Sequence, residues 1–134
     1  MPSECEVLFM PDGKAQALLH VLGRRTGLPT LIAKKEQKPY MAEPVLKGVR
    51  ANCMTSNKEE AFYLGADDAK KLSGKKVMII DDVVSTGGSV AAMRDLMKQA
   101  EATDLGVLCA LTEDGAKDGV TCLGNLPVND PKWA

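Results

Sequence analysis

Two adjacent carboxylates, Asp81 and Asp82, stand between an apolar run and a run of small residues. Val77-Met78-Ile79-Ile80 precede them, and Val83-Val84 lead on to Ser85-Thr86-Gly87-Gly88-Ser89. The apolar run suits a strand buried on both faces, with the acids at its carboxyl end, where open α/β sheets place ligands. Ser85 to Ser89 can turn tightly, offer hydroxyls and bring bare backbone N–H groups to an anion. A helical pattern follows, and its positive end faces the same anion. The chemistry this predicts is phosphate binding beside a pair of acids. A helix cap alone needs one carboxylate, not two beside a glycine pair. No lysine follows Gly88, so the P-loop pattern is absent, and the dinucleotide Gly-x-Gly-x-x-Gly spacing is absent too.

A second candidate anion site lies near the start of the chain. Val7-Leu8-Phe9-Met10 predicts a buried strand, and Pro11-Asp12-Gly13 turns the chain. Ala15, Leu18, Leu19 and Leu22 then recur at the spacing of one helical face. The turn Asp12-Gly13-Lys14-Ala15 therefore joins a strand to a helix, and its amides and Lys14 can hold a phosphate. Arg24 and Arg25 suit the last helical turn, with Gly23 and Gly27 at its frayed end, and His20 falls on the solvent side. Pro29 to Ala33 predicts the second strand. Lys34, Lys35 and Lys38 follow it as a basic cluster able to neutralise a polyphosphate, although charged turns of this kind are commonly just solvated.

Residues 36–60 show little periodicity, and a loop of that length in a compact domain is usually functional or disordered. Val45, Leu46 and Val49 suggest a short strand inside it, and Ala61-Phe62-Tyr63-Leu64 a strand leading out. Asp67 to Leu72 predicts a short helix in which Asp67 and Asp68 cap and carry surface charge. Beyond the acidic stretch, Val90, Met93, Leu96, Met97 and Ala100 make a core-facing helical stripe. Leu105 to Leu111 reads as another buried strand, and Thr121 to Val128 as a last strand and loop. Trp133 sits in a polar, Pro-rich tail. Strands alternating with helices predict right-handed crossovers and an α/β fold, with an open, mostly parallel sheet of about five strands flanked by helices.

Composition narrows the function classes. The chain has 134 residues, enough for one domain with a real core. Its 17 basic and 18 acidic residues give a formal net charge of −1. No overall cationic field is present to favour nucleic acid or a membrane surface. No apolar run is long enough to span a bilayer, and no secretory signal is visible. The four cysteines lack Cys-x-x-Cys spacing. A reduced cytoplasmic protein is the simplest account, with Cys109 a small core residue.

The stretch from Val77 to Ser89 resembles the phosphoribosyl-diphosphate (PRPP) motif of the type I phosphoribosyltransferases. The resemblance extends over roughly residues 5–128. Lys34-Lys35 followed by Lys38-Pro39-Tyr40-Met41, and the ending Leu123-Gly124-Asn125-Leu126-Pro127, are similar to the adenine/xanthine-type branch. The resemblance implies the type I phosphoribosyltransferase fold, Rossmann-like, in a single domain over 1–134 with a mobile loop at about 36–60 that closes over the ribose and pyrophosphate. It implies that Ser85, Thr86, Gly87, Gly88 and Ser89 bind the 5′-phosphate. Asp81 and Asp82 are then the catalytic acids that hold the ribose hydroxyls. Asp12, Gly13, Lys14 and Lys35 bind pyrophosphate, with Ala15 standing where the family carries glycine.

The activity implied is transfer of 5-phosphoribose from PRPP to a purine base, adenine foremost, with release of pyrophosphate. Mg²⁺ is the implied cofactor, bound mainly by PRPP and reaching Asp81 and Asp82 through water. The implied partners are PRPP, a purine base or nucleoside monophosphate, and a second copy of the chain in a homodimer. Some members place an acid at the Ser85 position to take the purine proton, so serine there leaves that acceptor unassigned. Adenine-type members also carry an N-terminal hood over the base, and this chain is expected to lack it. The alternative expectation is a non-catalytic PRPP- or nucleotide-binding module that has lost the base site.

Overall fold

The computed structural model describes residues 4–13, 16–49, 61–84, 88–113 and 120–126. In chain order the elements are β1 (Val7–Pro11), α1 (Gln16–Thr26), β2 (Thr30–Ala33), β3 (Leu46–Val49), β4 (Ala61–Leu64), α2 (Ala66–Leu72), β5 (Lys76–Val84), α3 (Gly88–Gln99), β6 (Thr103–Glu113) and β7 (Val120–Leu126). Five strands form one sheet in the order β2-β1-β5-β6-β7, and all its pairings are parallel. β3 and β4 pair antiparallel as a separate two-stranded unit.

Alternation along the strands divides the core between the two faces of the sheet. Val7, Phe9, Val77, Ile79, Val107 and Cys109 share a layer with Val90, Ala92, Met93, Leu96 and Met97 of α3, and with Phe62, Leu64 and Leu72. Leu8, Met10, Met78 and Ile80 face the other way, where Leu19 is the one fully buried residue of α1. The run of apolar residues in β1 and β5 thus reflects burial on both faces.

Two glycines mark close approaches. Gly48 of β3 lies against α3, and a methyl group there would collide with the Ala92 carbonyl and stand 2.8 Å from Leu96 Cγ. Gly23 lies inside α1 rather than at its frayed end, and a methyl group there would stand 2.8 Å from Thr30 Cγ2. Gly27, with φ of 71°, follows the helix, and its N–H donates to the Gly23 carbonyl at 2.9 Å.

Several boundaries differ from the sequence reading. β5 does not end before the acids but runs through them to Val84, because β6 pairs with it as far as Val84–Thr112. Val45 stays outside β3. The N-cap of α2 is Gly65 with no side-chain cap, so Asp67 and Asp68 only complement the helix dipole, and Asp68 pairs with Lys71 at 3.6 Å. β6 is longer at both ends than Leu105–Leu111. Pro127, Val128 and Trp133 lie outside the described residues.

Candidate functional site

The strand order contains one switch point. From β1 the chain crosses to β2 on one side, and from β5 it crosses to β6 on the other. α1 accordingly covers one face and α3 the opposite face. In open α/β sheets a crevice opens at such a point, outside the carboxyl ends of the strands. Here the ladder between β1 and β5 stops at Phe9–Ile79. Beyond it β1 pairs on with β2 to Pro11–Ala33, while β5 pairs on with β6. The two strands that border the crevice therefore carry Asp12 just past one end and Asp81-Asp82 near the other.

Both helices that start at this edge leave their positive ends unneutralised by their own residues. Neither α1 nor α3 has an acid in its first turn, whereas α2, which does not start at this edge, has two. Ser89 lies in the first turn of α3 and is half-buried. That arrangement suits an external anion held at the α3 N-terminus.

Asp81 lies on the α3 face, in register with Cys109 of β6. Its Oδ1 accepts the backbone N–H of Asp82 at 2.8 Å. Burial, together with a hydrogen bond shared with the Asp82 carboxyl, pushes the Asp81 pKa up to about 7, against the smaller opposing effect of the Asp82 N–H. Asp81 thus takes a proton more readily than an ordinary carboxyl, beside the second carboxyl of Asp82. Such a pair can both donate to and accept from a vicinal diol.

Asp12 is fixed differently. Its N–H donates to the Ala33 carbonyl at 2.9 Å, which ties the turn to the end of β2. Its Oδ1 accepts from Gln16 Nε2 at 2.8 Å. Gly13 is exposed next to it. Lys35 is exposed just beyond β2, while Lys34 exchanges two backbone hydrogen bonds with Tyr63, at 3.0 and 2.7 Å. The Lys34 backbone is therefore part of a seam between β2 and β4. Lys38 meets Glu36 at 3.3 Å. Sequence reasoning missed Gln16, though its place four residues after Asp12 was the available signal. Of the expected site residues, Lys14, Ser85, Thr86 and Gly87 lie outside the described residues, and Gly88 opens α3. The stretch 50–60 of the expected mobile loop also lies outside the described residues, whereas 46–49 form β3.

This fold, with its acids at a parallel-sheet switch point, defines a class. The phosphoribosyl transferase domain family matches residues 30–120, and the chain belongs to that family. It is 44% identical over 68 residues to the adenine phosphoribosyltransferase of Corynebacterium jeikeium, which covers 51% of this chain and 32% of that protein. It is 31% identical over 101 residues to the hypoxanthine/guanine phosphoribosyltransferase of Methanocaldococcus jannaschii, covering 75% of this chain and 50% of that one. The chain thus spans half or less of the length of these relatives. Among solved structures, the adenine phosphoribosyltransferase of Trypanosoma brucei in complex with AMP, pyrophosphate and ribose-5-phosphate superposes with a TM-score of 0.70. That likeness covers 90% of this chain and 56% of the other at 19% identity, and it shows the shared type I phosphoribosyltransferase fold.

Proposed function

We propose that the protein transfers 5-phosphoribose from PRPP to a purine base, adenine foremost, releasing pyrophosphate. The observation that carries this reading is the switch point between β1 and β5, flanked by Asp12 on one strand and by Asp81-Asp82 on the other. The T. brucei relative's complex with AMP, pyrophosphate and ribose-5-phosphate supports the choice of ligands. The names of relatives divide between adenine, hypoxanthine/guanine and xanthine, which supports a purine acceptor more firmly than any one base.

Each group has a physical role in that reaction. The α3 N-terminus, with Ser85, Thr86, Gly87, Gly88 and Ser89, binds the 5′-phosphate. Asp81 and Asp82 hold the 2′- and 3′-hydroxyls of the ribose. Their negative charge favours the positive charge that grows at the anomeric carbon as pyrophosphate leaves. Lys14 and Lys35, with the Asp12–Gly13 turn, bind the departing pyrophosphate. Among the described residues no group of three or more His, Cys, Asp or Glu could cage a metal ion. Two adjacent carboxylates do fit an oxygen-seeking Mg²⁺, and Asp81 and Asp82 would be the residues that hold it beside PRPP. Bound there, the ion would neutralise pyrophosphate charge. We further propose a homodimer in the cytoplasm. Among the described residues no helix is long and apolar enough to cross a membrane.

The test is pyrophosphate release from PRPP with adenine, guanine, hypoxanthine or xanthine, in the presence of Mg²⁺. Turnover with at least one purine supports the reading. Binding of PRPP without turnover on any base would replace the enzyme by a non-catalytic PRPP-binding module.

A further inference from the structure

The row of residues that holds Asp81 continues across the sheet into two cysteines. Asp81 on β5 is in register with Cys109 on β6, and Cys109 is in register with Cys122 on β7. Cys109 is buried in the layer under α3, and Cys122 packs against that same layer. Both side chains therefore lie on one face of the sheet, on neighbouring parallel strands. In-register residues on adjacent strands sit about 4.7–4.9 Å apart. A disulfide bridges Cα atoms roughly 4.4–6.8 Å apart. The register therefore puts the two Cα atoms inside the range a disulfide spans, and rotation about χ1 decides whether the sulfurs meet.

Exposure separates their roles. Cys109 is 3% exposed, whereas Cys122 is only half-buried on the edge strand. Cys5 belongs to the opposite layer of the core and cannot join them without crossing the sheet. Within this face the pair is thus both close and graded in access, the arrangement of an attacking and a resolving thiol.

We propose that Cys109 and Cys122 form an oxidation site that a hydroperoxide converts to a disulfide across β6 and β7. The Cys122 thiolate attacks one peroxide oxygen, the O–O bond breaks, and an alcohol or water leaves with a proton, giving a sulfenic acid on Cys122. The Cys109 sulfur then attacks Cys122 sulfur, the S–O bond breaks, and the hydroxyl leaves as water with the Cys109 proton. Two thiols lose two electrons in all, and the peroxide is reduced by two. A low-molecular-weight dithiol restores the pair.

The test treats the full chain with hydrogen peroxide, blocks remaining thiols with N-ethylmaleimide under denaturing conditions, and maps tryptic peptides by mass. Cleavage after Lys117 separates the two cysteines into different peptides. The expected result is one linked species joining the Cys109 and Cys122 peptides, two hydrogens lighter than their sum and lost on reduction. Cys122→Ser is expected to leave Cys109 fully alkylated after the same treatment. The idea is overturned if Cys109 stays alkylated in the native chain while Cys122 ends as sulfinic acid. Linkage of Cys122 to Cys5, to Cys53 or to a second chain overturns it equally. The native chain alone decides the matter, whether or not the variant folds. The readout does not involve PRPP, so it stands or falls independently of the transfer reaction.

Discussion

The β1–α1 and β5–α3 corners are the same device built twice and supported unequally. Each joins a parallel strand to a helix at the carboxyl edge, on either side of the switch point. α3 buries Val90, Ala92, Met93, Leu96 and Met97, and β3 packs close against it through Gly48. α1 buries Leu19 alone, with Leu18 and Leu22 only half covered. The acids differ in the same sense. Asp81 sits within the ladder and is pushed up toward neutrality by burial, while Asp12 lies in a turn and is held by the exposed Gln16. The lesson is that the helix beyond β5 is the more deeply packed of the two and the helix beyond β1 the more lightly packed. In the proposed reaction the deeper packing would lie on the ribose side, where charge develops, and the lighter packing on the pyrophosphate side.

Mutations can break this contrast. The largest effect is expected for the double change Asp81→Asn/Asp82→Asn, which removes the charge that the proposed reaction sets against the anomeric carbon. Pyrophosphate release is expected to fall about 10³-fold or more, with circular dichroism unchanged. Next comes the unequal packing itself. Leu96→Ala, in the thick layer, is expected to cost about 4 kcal/mol in urea unfolding, and Leu19→Ala, in the thin layer, about 2 kcal/mol. Equal losses would remove the distinction between the two corners.

The Asp81 shift predicts a pH dependence of stability with a definite sign. Its pKa is about 7 in the folded chain against an ordinary value of 3.8, so the folded state binds more protons between those values. Its contribution is complete below about pH 4 and is lost as the pH rises toward 7. Asp81→Asn is therefore expected to raise the urea midpoint at neutral pH relative to the parent, and to leave it nearly unchanged at pH 4. A parent–variant difference that does not vary with pH would place the Asp81 carboxyl in water. The smallest effect is expected for Gln16→Ala. Losing one exposed hydrogen bond to Asp12 is worth about 0.5 kcal/mol, a factor of about two in PRPP affinity by calorimetry.

Strand periodicity and apolar runs made β1, β2, β5 and β6 legible, because burial on both faces leaves an unmistakable composition at Val7–Met10 and Val77–Ile80. The acids and the helix that follows them were legible for the same local reason. What escaped was set by pairing between distant residues. The extension of β5 through Asp81 and Asp82 depends on β6. The packing of β3 on α3 depends on Gly48, which carries no side chain to signal it. The seam from Lys34 to Tyr63 is made of backbone groups, so its residue types say nothing of it. Gln16 could have been found from its spacing to Asp12, since both ends are local.

Calorimetric binding of Mg²⁺-PRPP to the chain and to Asp81→Asn/Asp82→Asn tests the site most directly, since it needs no acceptor base. The β1–β5 crevice as the PRPP site predicts saturable one-to-one binding by the parent and its loss in the double variant. Equal affinity in the two proteins would contradict the assignment of these acids, and with it the placement of the ribose at the end of β5.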